Sequence, residues 1–135
     1  MDEMDIQVNN GQHIIEKWNN VFKALSAEPR RQIIVSLLDA PPNQSVSLPE
    51  HAMNPDVPAN PEKLQQELYH CHLPLLADQG FVNWETEPLV ASRGPQFDEL
   101  AVVLDALHAT ATDMPDSLVI GCQRLEKERQ TSFGD

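Results

Sequence analysis

Residues 22–82, FKALSAEPRRQIIVSLLDAPPNQSVSLPEHAMNPDVPANPEKLQQELYHCHLPLLADQGFV, decide the fold, because their breaks and apolar spacing mark successive helices that end in a glycine stop. Glu28-Pro29 interrupts the chain, and proline suits the first position of a helix, where its missing N–H is not needed. The helix restarting there is expected to bury Ile33, Ile34, Leu37 and Leu38 and to end before Pro41-Pro42. Ser47-Leu48-Pro49-Glu50 has the spacing of a capping box, so a short third helix is predicted from Ser47. MNPDVPAN (53–60) is loop chemistry, and Asn60-Pro61 then supplies an N-cap and a first-position proline. The fourth helix runs from Pro61 to about Gln79, with Leu64, Leu68, Cys71, His72, Leu75 and Leu76 in one sector of the helical wheel. Pro74 removes a donor late in this helix and predicts a bend, and Gly80 can take the left-handed conformation that ends it.

Working outward, Ile14, Trp18, Phe22 and Leu25, joined by Ile15 and Val21, recur at helical spacing and predict a first helix over 13–26, with residues 1–12 as a flexible tail. After Gly80, FVNWE (81–85) and LVASR (89–93) are β-prone runs separated by Thr86-Glu87-Pro88, a small hairpin. Helical spacing returns from Phe97 through Leu100, Val103, Leu104 and Leu107, and again from Asp116 to Gln130 with Leu118, Cys122 and Leu125. The order predicts a mainly α chain with a small β-hairpin: a winged helix-turn-helix over 13–110, followed by a C-terminal helical extension over 111–135.

A chain of 135 residues is one domain by size, and 41% hydrophobic residues suffice for a packed core. No apolar run approaches the ~20 residues needed to cross a bilayer, and the opening MDEMDIQVNN lacks the segments of a secretory signal, so a cytoplasmic protein away from membranes is expected. Cys71 and Cys122 have no close-spaced partner and read as reduced structural thiols. The formal net charge of -12 has the wrong sign for a chain resting on phosphate.

Two segments carry a family resemblance. ALSAEPRRQIIVSLL (24–38) resembles the first-to-second-helix passage of arsenic-repressor-type (ArsR-type) winged-helix regulators, and LYHCHLPLLADQGFV (68–82) resembles their recognition helix, turn and first wing strand. LYHCHLPLLADQG is similar, more narrowly, to the version in a group of winged-helix proteins of halophilic archaea. The resemblance spans roughly residues 13–107 and implies a homodimeric regulator of transcription that binds double-stranded DNA. It also implies a cause for the 21 acidic against 9 basic residues, because a cytoplasm holding molar potassium favours carboxylate-rich surfaces. At about 1 M salt the Debye length is ~3 Å, so repulsion between an acidic protein and DNA is largely removed, as is the gain from counterion release.

With the leucines of the fourth helix turned to the core, Lys63, Gln66, His70 and, more peripherally, Tyr69 point away from it. A carboxamide can contact adenine through two bonds, which makes Gln66 the base reader; His70 suits a phosphate or a guanine edge, and Lys63 a phosphate. Arg30, Arg31 and Arg93 are the remaining backbone-contact candidates, while Glu62, Glu67, Glu85 and Glu87 oppose phosphate. Trp18, Leu104, Leu107, Leu118, Cys122 and Leu125 are expected at a dimer surface. His70-Cys71-His72 does not predict a metal site, since consecutive helical side chains diverge by ~100°. No phosphate-cradling glycine loop or nucleophile elbow occurs, so neither an enzyme nor a bound cofactor is expected. The rival reading is a winged domain turned to protein–protein interaction, with an acidic face docked on a partner or mimicking DNA.

Overall fold

Helix α1 (Glu3–Leu25) runs for 23 residues, about 34 Å. The computed structural model describes residues 3–120 and 122–133, with side chains over 9–120 and 122–131. Residues 3–12, expected as a flexible tail, are helical. No proline interrupts them and Gly11 alone weakens the run, so the helix continues beyond the stripe that made it legible. Among the described side chains of α1, Val21, Ala24 and Leu25 at its C-terminal end enter the core; Ile14, Ile15, Trp18 and Phe22 are exposed.

Helix α2 (Glu28–Asp39) carries its proline in the first turn and buries Ile33, Ile34 and Leu37, while Leu38 is half-buried. The capping box at Ser47 does not form. Val46–Ser47 is instead a short strand, β1, and the third helix reduces to a 3-10 turn, Glu50–Ala52, whose N-cap position is Pro49. Val46 pairs with Ala91 and Ser47 with Val90, and that tertiary pairing prevails over the local capping signal.

The fourth helix is a rod over residues 61–78. It consists of α3 (Pro61–Glu67), a π-helical turn (Leu68–His72) and α4 (Leu73–Asp78). The Asn60 side chain accepts from the backbone N–H groups of Glu62 and Lys63 at 3.0 and 3.3 Å, as an N-cap does. The π turn lies just before Pro74, whose ring would otherwise meet the carbonyl of His70 in an α-helical ladder, and Leu73 N–H reaches back five residues to Leu68 O. One extra residue in that turn shifts the buried phase: after Leu64 and Leu68 the core takes His72, Leu73 and Leu76. Cys71, expected inside, is therefore exposed.

Gly80 (φ 75°) ends the rod. Its N–H bonds to Ala77 O at 2.9 Å and the N–H of Phe81 to Leu76 O at 3.0 Å, the paired bonds of a Schellman stop. β2 (Val82–Thr86) and β3 (Leu89–Arg93) form the expected hairpin around Glu87-Pro88, and with β1 they make a three-stranded antiparallel sheet in the order β1-β3-β2. Leu89 and Ala91 face inward, and α5 (Phe97–Ala109) closes the core with Phe97, Leu100, Ala101 and Leu104.

The C-terminal extension is not one helix. α6 (Asp116–Val119) stops where Ile120 turns extended, and α7 (Gln123–Phe133) starts anew. The break folds α7 back, so that Ala111, Val119 and Leu125 make a small second cluster with Met114 and Cys122. Arg124 fastens α7 to α2 through Asp39 at 2.6 Å. Among the described residues no helix is long and apolar enough to cross a membrane.

Candidate nucleic-acid interface

Burial of Leu64 and Leu68 fixes which side of the rod faces out, and Lys63, Gln66 and His70 are all exposed there. Gln65, Glu67 and Cys71 share the open surface, which no element among the described residues buries. Tyr69 is set differently: half-buried, it meets the Trp84 ring edge-on at 6.0 Å between centroids and ties the rod to β2.

Each arginine proposed from sequence for the DNA backbone is engaged by the protein itself. Arg30 is buried; its Nε donates to Ala24 O at 2.9 Å and Nη2 to Lys23 O at 2.9 Å and Ser26 Oγ at 3.0 Å. It therefore caps the C-terminal carbonyls of α1, where a cation suits the helix dipole. Arg93 does the same for α2, donating to Leu37 O at 2.8 Å and Ala40 O at 3.1 Å while its guanidinium lies 4.8 Å from the Phe97 ring centroid. Arg31 bonds to Leu25 O and pairs with Glu28 at 2.9 Å. A guanidinium is a five-donor fork, and free carbonyls at helix ends compete for it. Sequence inspection could count these cations but not see those carbonyls.

Arg30 also organises a buried polar pair. Its Nη1 lies 2.8 Å from Nδ1 of His72, and because a guanidinium only donates, Nδ1 accepts and the imidazole proton sits on Nε2, which faces Glu67 Oε2 at 3.9 Å. Burial, and then the charge of Arg30, hold His72 below the usual histidine range against the opposing pull of Glu67. His72 is thus a neutral strut between α2 and the rod. With His72 inside and His70 and Cys71 outside, the three neighbours diverge; among the described residues no group of three His, Cys, Asp or Glu side chains could hold a metal ion.

One cation was missed. Lys23, at the end of α1, lines a shallow cleft with His70, Cys71 and Asp78. The π turn, which has no sequence signature beyond Pro74, brings Cys71 to that cleft. The outward face therefore offers Lys23, Lys63, Gln66 and His70, with the exposed carboxylates Glu62 and Glu67 on the same rod; Glu85 and Glu87 are exposed on the hairpin.

The residues expected at a dimer surface divide. Leu104 and Leu125 are buried in the chain's own clusters and Cys122 is half-buried, so the first two pack within the chain itself. Trp18, Leu107 and Leu118 are exposed, and Trp18 stacks on Phe22 at 5.7 Å between centroids. No family model matches the chain, and no curated protein or solved structure is significantly similar to it.

Proposed function

We infer that the chain is a winged helix-turn-helix regulator that binds double-stranded DNA as a homodimer in a high-salt cytoplasm. In this reading α2 and the rod form the helix-turn-helix pair, the rod enters the major groove, and the β2–β3 hairpin is the wing. The observation that carries it is the outward face of the rod: a firmly capped helix, clamped to α2 by Arg30 and His72, exposes a carboxamide with a lysine one turn before it and an imidazole one turn after. Gln66 reads adenine, Lys63 and Lys23 meet phosphate, and His70 meets a phosphate or a guanine edge. Two copies, joined through the exposed stripe of α1, address half-sites about 34 Å apart.

The inward-turned arginines give the rival reading its specific support. With Arg30, Arg31 and Arg93 occupied and the carboxylates Glu62 and Glu67 exposed on the same rod, a protein partner bearing basic groups would also suit this surface. Salt separates the two. DNA affinity, measured by fluorescence anisotropy on genome-selected fragments, is expected to persist or improve as potassium rises to molar levels. A complex resting on attraction to a basic partner weakens over the same range. Gln66→Ala is expected to erase sequence selectivity while leaving the unfolding free energy from urea titration within about 0.5 kcal/mol of the parent. Unchanged selectivity would remove Gln66 from the interface, and no selective binding at any salt concentration would leave the protein-docking reading.

A further inference from the structure

The fold-back of α7 leaves a half-open groove that the DNA-binding reading does not use. Two adjoining cavities, of about 450 and 220 Å³, lie between α5, the start of α2 and the α6–α7 segment, and both are lined by Glu28, Arg31, His108 and Cys122. The larger is apolar along Leu107, Met114, Leu118, Ile120 and Leu125, and its volume is within the range of small-molecule sites. The smaller adds Arg124 and Lys127, so in a chain of net charge -12 its lining holds three cationic side chains against two carboxylates, Glu28 and Asp39.

His108 stands where the two cavities join. It is 8% exposed, and its Nδ1 is buried with no hydrogen-bond partner. The Nε of Arg124 is likewise buried without a hydrogen bond, with Glu128 Oε1 at 3.5 Å, while its Nη1 is occupied by Asp39 at 2.6 Å. Buried polar groups are ordinarily satisfied, and each one left alone costs about 1–3 kcal/mol. Arg124 Nε is ion-paired with Glu128, which leaves His108 Nδ1, beside the cleft, as the nitrogen that marks a site for an acceptor.

We propose that this cleft binds a small carboxylic acid with an apolar tail, its carboxylate accepting from His108 Nδ1–H with Arg124 and Lys127 alongside, and its tail covering Leu107, Leu118 and Ile120. A carboxylate has two oxygens and only accepts, which matches donors converging from α5 and α7. A cation is disfavoured by Arg31, Arg124 and Lys127, and a purely polar ion leaves Leu118 and Ile120 open to water at 62% and 71% exposure. Burial, and then Arg124, lower the His108 pKa, so the imidazole stays neutral and supplies one N–H. The proposal stands whether or not the rod binds DNA.

The test is a titration of the 15N-labelled full chain with hexanoate in about 1 M KCl, following the His108 ring nitrogens and the backbone amides of α7. Hexanamide keeps the tail without the charge, and acetate keeps the charge without the tail. Saturable shifts at His108 and α7 are expected with hexanoate, with the other two weaker by about tenfold. Lys127→Ala, a change at an exposed position that leaves the Arg124–Asp39 fastening intact, should weaken hexanoate by roughly threefold and hexanamide not at all. Equal affinity for hexanoate and hexanamide, shifts confined to Trp18 and its neighbours on α1, or no shift up to the solubility limit would each overturn the proposal.

Discussion

At the residue scale, arginine and glycine do work that side-chain type alone does not announce. Four arginines, Arg30, Arg31, Arg93 and Arg129, bond to backbone carbonyls at the ends of turns or helices, the last to Ala111 and Met114. Gly94 is the tightest of the described glycines. A Cβ there would lie 2.4 Å from Gly80 O and 2.8 Å from Val82 N, both backbone atoms with no freedom to swing aside. At Gly80 the strain is conformational, with φ at 75° and the added carbon 3.0 Å from Gln96 Cγ, the far part of a flexible side chain. Gly94→Ala is therefore expected to cost about 1–3 kcal/mol, no less than the ~1–2 kcal/mol of Gly80→Ala, by urea unfolding in molar salt. The reverse order would mean the sheet can retreat from the rod. His72 and His108 set the response to acid. Both are held below their unfolded value of 6.5, so the neutral forms stabilise the fold above that pH, and the contribution is lost as pH falls from 6.5 through the folded values. Stability is expected to decline between pH 7 and 5, and His72→Gln, which keeps an acceptor for Arg30, should reduce the slope. An unaltered slope would assign the protons elsewhere.

At the scale of elements, helices and hairpin were legible because their signals are local: prolines at Pro29 and Pro61, the Asn60 cap, the Gly80 stop, and β-prone runs on either side of Glu87-Pro88. What sequence reading missed depends on partners far along the chain. Ser47 joined a strand because β3 was there to pair with it, and α6 parted from α7 at Ile120 so that Val119 and Leu125 could share a cluster. The same limit applied to the site. The exposed positions Lys63, Gln66 and His70 followed from the leucine phase, whereas the occupation of Arg30 and Arg93 by carbonyls, 6 and 56 residues away for Ala24 and Leu37, did not. Helix α1 is the element whose packing is least complete. Ile15→Asp with Trp18→Asp is expected to leave the monomer's unfolding free energy within about 0.5 kcal/mol per site, since both side chains are exposed, while sedimentation shows dimer lost. A large fall in monomer stability would mean instead that the stripe packs within its own chain.

At the scale of the whole molecule, charge governs behaviour. Of nine lysine and arginine side chains, five arginines and Lys17 engage the protein's own carbonyls or carboxylates, and the excess of 21 carboxylates over nine cations, a net charge of -12, falls to solvent ions to balance. Raising KCl from about 0.1 to 1 M shortens the Debye length from ~10 to ~3 Å. The melting temperature is expected to climb across that interval, as self-repulsion in the compact state is relieved; a flat or falling curve would show that the carboxylates are already accommodated. Salt also acts on the N-terminal spur. The side chains of residues 12–19 of α1 are exposed, with Lys17 tied to Glu99 of α5 at 2.6 Å, and a helix so lightly packed frays readily in water. Where a second copy shelters it, winding and pairing become a single event, and the outline of the molecule is then a gauge of how crowded the cell is with its own kind.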